Sequence, residues 1–194
     1  MLGAELRALY FLSSSGNELV FARQGSGSDG AELMIVSLTG AGEPKVLLQR
    51  ARNADLSPDG RYIAYQSDES GQFEVYVRSF PNVEGYFTKV SGDGGIQPVW
   101  SPRGDEIFYI QPGAEPRLMS VDVAADAELA LARPKPLIAW PYYTGELGRT
   151  YDVSRPDGRR FLAVRAGVPG DEQTPRAEIV LDWFAELETR VPRS

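Results

Sequence analysis

Residues 56–77 read Leu56-Ser-Pro-Asp-Gly-Arg-Tyr-Ile-Ala-Tyr-Gln-Ser-Asp-Glu-Ser-Gly-Gln-Phe-Glu-Val-Tyr-Val77. The Ser-Pro-Asp-Gly segment predicts a tight turn, because proline fixes φ, aspartate hydrogen-bonds nearby backbone and glycine tolerates positive φ. The segments 62–66 and 73–80 that follow are rich in aromatic and β-branched residues, which favour strands. The stretch therefore predicts a turn followed by two strands of one sheet.

The same turn-and-strand pattern recurs along the chain. Its glycines are Gly16, Gly60, Gly104 and Gly158, at intervals of 44, 44 and 54 residues. A propeller blade built from four strands occupies roughly 40 to 50 residues, so the repeat predicts about four blades of a β-propeller. The longest interval is assigned to an insertion at residues 142–149. Asp59 and Asp157 are interpreted as turn residues and not as catalytic acids.

We therefore predict an all-β chain with a single propeller domain over residues 1–194, divided into blades at about 6–50, 51–91, 92–140 and 141–191. First strands are expected at 8–12, 53–56, 96–100 and 149–153, and second strands at 62–66, 106–111 and 159–165. Third strands are expected at 73–80, 117–123 and 179–184, and outer strands at 46–49, 87–90 and 137–140. Continuous apolar runs at 107–110 and 161–164 predict sheets that are packed on both faces. Helical spacing occurs only at 182–191, where a turn or two of helix is expected.

The segments 56–77 and Pro98-Val-Trp-Ser-Pro-Arg-Gly-Asp-Glu-Ile-Phe-Tyr109 resemble the repeat of TolB-type propellers. The final segment, residues 178–192, is similar to the end of propellers fused behind bacterial serine/threonine protein kinases. The resemblance implies a sensory or protein-interaction module, and it favours a periplasmic or other extracytoplasmic location. The chain itself contains no kinase Gly-rich loop, His-Arg-Asp motif or Asp-Phe-Gly motif, so phosphoryl transfer is not assigned to it.

Propellers of that family usually have more blades and close by pairing a strand from one terminus with the blade at the other. The fourth blade here is predicted to stop after its third strand. We therefore expect an incomplete or open propeller, either part of a larger ring or one that self-associates through its open blade edges.

Composition excludes several classes of function. Lys and Arg total 20 against 27 Asp and Glu, a formal charge of −7, which disfavours binding to nucleic acid. A basic patch at Arg155, Arg159 and Arg160 is equally explained by a solvated strand edge. With neither cysteine nor histidine, the chain lacks disulfides, thiolate metal sites and Ser-His-Asp or Cys-His chemistry. No apolar run approaches the roughly 18 residues of a membrane span.

By family resemblance, ligands of such propellers meet the loops between blades and the loops between second and third strands. These loops are predicted at 52–55, 67–72, 92–97 and 142–149. The candidate ligand-binding residues on them are Asp68, Asp93, Gln97, Tyr143 and Arg149, and ordinary solvated loops are the alternative explanation. Neither a metal site nor a cofactor site is predicted, because Asp68, Glu69 and Asp93 lack calcium-loop spacing.

Aromatic residues offer a second kind of candidate site. A sugar or peptide platform would need several of Trp100, Trp140, Tyr142, Tyr143 and Trp183 to surround an opening. Trp100 and Trp183 lie in apolar runs and are expected to pack between blades, whereas Tyr142 and Tyr143 are expected to be exposed.

The sequence thus predicts a non-catalytic propeller that binds a protein, a peptide or a small ligand on its loops. The alternative is an accessory propeller of a hydrolase or a prolyl-oligopeptidase-type enzyme whose catalytic domain is absent from this chain. A Gly-x-Ser-x-Gly elbow with a downstream histidine would favour the enzyme, and neither occurs here.

Overall fold

The computed structural model describes residues 12–15, 17–24, 30–39, 42–125, 129–145, 148–165 and 177–180. These residues form antiparallel sheets that follow one another along the chain, and no helix occurs among them. The all-β prediction is confirmed. The predicted helix at 182–191 and Trp183 lie outside the described residues.

Consecutive strands pair in each sheet, except that the last strand of the third sheet pairs with that sheet's third strand, and we call the four sheets blades one to four. Blade one contains β1 (Leu12–Ser15), β2 (Glu18–Gln24), β3 (Ala31–Ser37) and β4 (Lys45–Leu48). Blade two contains β5 (Ala51–Leu56), β6 (Tyr62–Ser67), β7 (Glu74–Ser79) and β8 (Phe87–Lys89). Blade three contains β9 (Ile96–Trp100), β10 (Glu106–Gln111), β11 (Arg117–Ala125), β12 (Leu129–Leu131) and β13 (Lys135–Ala139). The described part of blade four contains β14 (Tyr151–Val153), β15 (Phe161–Val164) and β16 (Ala177–Val180).

Several details differ from the predicted strands. Neither β3 nor β12 was predicted, and β16 begins two residues before the predicted strand 179–184. Strand β11 is long enough to pair with both β12 and β13. Strand β1 overlaps the predicted first strand only at Leu12, and residues 8–11 lie outside the described part of the chain.

The repeated turns have the predicted chemistry. Asp59 accepts hydrogen bonds from the Ser57 hydroxyl (2.6 Å) and the Arg61 N–H (3.1 Å), and Gly60 has φ of 70°. In blade three the turn carries Arg103 at the aspartate position, and Ser101 donates instead to Asp105 at 2.7 Å. The glycines are required at these turns because L side chains rarely adopt such positive φ values.

The core consists of layers between successive blades. Blade one packs on blade two through Val20, Ala22 and Leu33 against Ile63 and Tyr65, among others. Blade two packs on blade three through residues that include Ala64, Val75, Val77, Trp100, Ile107 and Tyr109. Blade three packs on blade four through residues that include Phe108, Ile110, Tyr151, Phe161 and Ala163. Alternate residues of β10 therefore enter different layers, as the run 107–110 predicted.

Blade four departs from that pattern. Phe161 and Ala163 of β15 are buried against blade three, but Leu162 and Val164 on the other face are 44% and 47% exposed. The expectation that 161–164 is packed on both faces is wrong within the described residues, because no further sheet lies beyond blade four there.

Candidate interaction site at the loop face

The connections between blades and the turns between second and third strands meet at one end of the sheets. The Arg50 guanidinium, just before β5, lies 3.0 Å from the Asp68 carboxylate in the turn after β6. The Gly95 N–H, just before β9, donates to the Phe73 carbonyl at 2.8 Å. We call this end the loop face; the Ser-Pro-Asp-Gly type turns lie at the opposite end of the sheets.

Three of the predicted site residues lie on the surface of the loop face. Asp68 is paired with Arg50, and the Asp93 backbone carbonyl lies 3.5 Å from the Gln111 amide. Tyr143 is 50% exposed, and its N–H donates to the carbonyl of Val164 at 2.9 Å. Asp93 and Tyr143 thus lie on different interblade connections at the same end of the propeller.

Gln97 was predicted in the overlap of the loop 92–97 and the first strand 96–100. It lies within β9, is almost fully buried and has φ of 54°, so it does not face solvent on the loop as a candidate ligand-binding residue would. Its side-chain oxygen accepts hydrogen bonds from the Thr150 N–H (2.9 Å) and hydroxyl (2.8 Å), and its amide nitrogen donates to the Gly145 carbonyl (2.9 Å). Gln97 therefore holds the insertion loop and the start of blade four.

The same structural position in blade two is occupied by Asn53, which precedes Ser57 by the interval that separates Gln97 from Ser101. Asn53 is also buried, has φ of 48° and donates to the Gln66 side-chain oxygen at 3.0 Å. That oxygen also accepts from the Gln97 N–H at 3.1 Å. A chain of hydrogen bonds thus runs from blade two through blade three to blade four, and we call it the axial network: Asn53, Gln66, Gln97 and Thr150.

An ion pair joins the first strands of blades that are not neighbours. Arg149, before β14, lies 3.1 Å from the Asp55 carboxylate of β5 and 3.1 Å from the Asp152 carboxylate. The second Asp55 oxygen accepts from the Trp100 N–H at 2.8 Å. Because blade four reaches blade two past blade three, the first strands must converge on the propeller axis. Burial raises the pKa of the Asp55 carboxyl, and the nearby Arg149 guanidinium and Trp100 N–H oppose that rise only in part.

We predict that Asp55 and Asp59 make the free energy of unfolding depend on pH in opposite directions. Asp55 has a raised pKa in the folded chain, so its contribution to stability is complete below its ordinary pKa of 3.8 and is lost as pH rises through the folded value. The stability of the wild type relative to Asp55→Asn should therefore fall as pH rises. Urea unfolding over a pH series measures this difference.

Asp59→Asn is the matched control. Hydrogen bonds from Ser57 and Arg61 outweigh partial burial and lower the pKa of Asp59, so its contribution is present above 3.8 and is lost as pH falls through the folded value. The wild type should therefore gain stability relative to Asp59→Asn as pH rises. The same slope for both variants would contradict this assignment.

Among the described members of the predicted aromatic platform, one ring is exposed. Trp140 is buried and packs edge to face on Tyr142 and Tyr151, with ring centroids 4.9 and 5.2 Å apart. Trp100 is buried between blades, as expected. Tyr142 is half-buried, so Tyr143 is the aromatic residue of the described insertion that faces solvent.

A groove that the sequence did not indicate continues from the insertion loop along blade three. Its volume is about 480 Å³, and it is lined by Glu115, Pro116, Arg117, Pro136, Leu137, Ile138, Ala139, Trp140 and Pro141. Trp140 and Pro141 line the groove, and the exposed Tyr143 follows Pro141 by two residues along the chain.

Asn53, Asp55 and Gln66 were not predicted as parts of the site. Nothing local marks them, because their hydrogen-bond partners lie on other strands and mostly on other blades.

Within the described ranges, no cluster of acidic side chains is arranged to hold a metal ion. A search of the same residues finds no helix of the length and apolarity needed to cross a membrane.

Solved structures share this architecture. TolB from Acinetobacter baumannii superposes with a TM-score of 0.62 at 17% identity, over 84% of this chain and 37% of that one. A putative TolB from Agrobacterium tumefaciens gives 0.59 at 15% identity, over 86% of this chain and 62% of that one. The β-propeller domain of the Trilobed protease from Pyrococcus furiosus gives 0.50 at 14% identity, over 89% and 54% of the two chains. No protein-family model and no curated protein matches the sequence.

The fold and these similarities define a β-propeller segment. Its blades follow one another in chain order, and among the described residues no strand joins blade one to blade four. Within that class, the fold is TolB-like, and this chain spans 37% and 62% of the two TolB structures. Because a propeller also occurs in the protease, the fold alone does not decide between binding and accessory roles.

Proposed function

We propose that this chain is a non-catalytic interaction module that binds a peptide or a protein segment at the loop face. The observation that carries the proposal is the insertion loop, which is anchored on buried groups while it exposes Tyr143. Gln97 holds the loop at Gly145, and Arg149 holds its end at Asp55. An exposed aromatic side chain on an anchored loop loses little conformational entropy on binding.

The adjoining groove supports a peptide as the ligand. It is lined mainly by prolines, aliphatic side chains and Trp140. Glu115 and Arg117 also line it, and their carboxylate and guanidinium groups lie 3.5 Å apart. Extended segments with apolar side chains suit such a surface, since extended proline-rich peptides dock into aromatic-lined grooves.

The experiment is selection of a random peptide library displayed on phage against the 194-residue chain. We expect enriched peptides that bind in solution and are weakened about tenfold or more by Tyr143→Ala. Selected peptides whose affinity is insensitive to Tyr143, or reproducible turnover of a substrate by the purified chain, would contradict the proposal.

A finer proposal is that the module is the sensory region of a bacterial serine/threonine kinase. It is supported by the resemblance of residues 178–192 to the ends of kinase-fused propellers. Sequencing the reading frame upstream of this segment tests it: a kinase catalytic domain is expected, whereas a peptidase domain on either side would favour the accessory-propeller alternative.

A further inference from the structure

Asp-Gly steps occur at four places in the chain, residues 29–30, 59–60, 93–94 and 157–158. In such a step the backbone nitrogen of the glycine can attack the carboxyl carbon of the aspartate without an enzyme, because glycine carries no side chain to hinder the approach. The outcome is isoaspartate, in which the main chain runs through the aspartate side chain. Asp29 lies outside the described residues, and the structure separates the other three steps into two kinds.

The step in blade two is closed by hydrogen bonds on both reacting groups. The Asp59 carboxylate accepts from the Ser57 hydroxyl at 2.6 Å and from the Arg61 N–H at 3.1 Å. The Gly60 N–H donates to the Ser57 carbonyl at 2.8 Å. These bonds must break before the nitrogen can reach the carboxyl carbon.

The step in blade four is closed in the same way. The Asp157 carboxylate accepts from the Arg159 N–H at 3.1 Å and from the Ser154 hydroxyl at 3.3 Å. The Gly158 N–H donates to the Ser154 carbonyl at 3.0 Å. Both repeat turns thus protect their aspartates from this reaction.

Asp93 has neither kind of protection. It is exposed on the connection between β8 and β9, and among the described residues no hydrogen-bond partner holds its carboxylate or the Gly94 N–H. Its backbone carbonyl accepts the long hydrogen bond from Gln111, which occupies neither reacting group. An added Cβ at the preceding Gly92 would meet no atom within 4 Å, so the main chain has space to turn there.

We infer that Asp93 is a site of spontaneous isomerisation to isoaspartate in the folded protein. The Gly94 nitrogen forms a bond to the Cγ of the protonated Asp93 carboxyl, and the carboxyl hydroxyl leaves with the amide proton as water. The product is a cyclic succinimide. Water then adds to the α-carbonyl carbon of Asp93 and breaks its bond to the Gly94 nitrogen, which takes up a proton. One water leaves and one enters, so the mass and the charge of the chain are unchanged.

The modification would alter the loop face without altering the blades. It lengthens the connection between blades two and three by one methylene group and moves the free carboxylate of Asp93 onto the former main-chain carbon. The Gly95 N–H, which donates to the Phe73 carbonyl, lies beyond the lengthened link and still anchors the start of β9. This inference is independent of peptide binding, because it rests on the groups that surround each aspartate.

The test is incubation of the full chain at neutral pH for several weeks, followed by proteolysis and mass spectrometry with electron-transfer fragmentation, which distinguishes isoaspartate from aspartate at equal mass. We expect isoaspartate to form at Asp93 about tenfold faster, or more, than at Asp59 and Asp157, because several hydrogen bonds must first break at those two turns. Circular dichroism checks that the incubated chain stays folded.

Two controls assign the difference to the fold and to the Asp93 carboxyl. In urea, where the turns are lost, the three steps should react at similar rates. Asp93→Glu should abolish the reaction at position 93, since its longer side chain would have to close a larger ring, and should leave Asp59 and Asp157 unchanged. Equal rates at the three steps of the folded chain would overturn the inference. So would the absence of isoaspartate at Asp93 over a period in which the unfolded chain forms it there.

Discussion

Replacement of Phe108 by alanine is expected to lower the free energy of unfolding by about 3–5 kcal/mol. Phe108 is fully buried in β10, and its ring packs edge to face on Phe161 with centroids 5.1 Å apart. The substitution removes apolar contacts between blades three and four and leaves a cavity that two sheets cannot collapse to fill. Urea unfolding followed by far-ultraviolet circular dichroism measures the change.

The matched control is Phe87→Ala. Phe87 lies on the outer strand β8, is 48% exposed, and stacks on Tyr76 with centroids 5.6 Å apart. Its loss should cost no more than about 1.5 kcal/mol, since the half-exposed ring makes surface contacts only, with Tyr76 and with the Arg78 guanidinium 4.2 Å from the ring centroid. Equal costs for the two substitutions would show that the layer between blades three and four does not hold the stack together.

The second large effect is expected from Gln97→Ala, with a loss of about 2–4 kcal/mol. The substitution removes the acceptor for the Thr150 N–H and hydroxyl and the donor to the Gly145 carbonyl. Each buried polar group left without a partner costs about 1–3 kcal/mol, and the Thr150 hydroxyl can partly recover by rotation. The φ of 54° contributes little to this difference, because glutamine and alanine both carry a Cβ and the wild type already adopts that conformation.

Gln111→Ala is the control, because the hydrogen bond of the Gln111 side chain to the Asp93 carbonyl is long, at 3.5 Å. Its cost should stay within about 0.5 kcal/mol. Hydrogen exchange adds a local measurement: the Thr150 amide should exchange faster in Gln97→Ala than in the wild type. Similar stability of the two variants, with unchanged exchange at Thr150, would contradict the role assigned to the axial network.

The repeat made the blades predictable from sequence. Glycine spacing and the Ser-Pro-Asp-Gly turns are local signals, and the hydrogen bond from Ser57 to Asp59 shows that they act over two residues. Strand positions followed from the aromatic and β-branched runs between those turns. The boundaries were less accurate where the pattern is interrupted, as in β11, whose length allows pairing with β12 and β13.

The interior of the site was not predictable in the same way. Asn53, Gln97 and Thr150 occupy one structural position in three blades but are three different residue types, so no repeated signature marks them. Their partners lie on other strands, with Gln97 and Thr150 separated by 53 residues. Gln97 was predicted at the overlap of a loop (92–97) and a first strand (96–100), and only the structure shows that it lies inside β9 at positive φ with a buried side chain.

In blade four, the sequence predicted more burial than the structure shows. The apolar run 161–164 correctly indicated a buried strand, and it also predicted a second covered face. Hydrophobicity reports that a side chain favours burial but not which molecule supplies the cover. The exposure of Leu162 and Val164 therefore became apparent only from the arrangement of the sheets.

The most direct test of the proposed function compares the affinity of one selected peptide for Tyr143→Ala and for Arg103→Ala. Both side chains are about half exposed, but Arg103 lies in the turn at the end opposite the loop face. Fluorescence anisotropy should show about tenfold or greater weakening by Tyr143→Ala and no change by Arg103→Ala. Equal affinities for the two variants, or weakening by Arg103→Ala alone, would contradict recognition at the loop face.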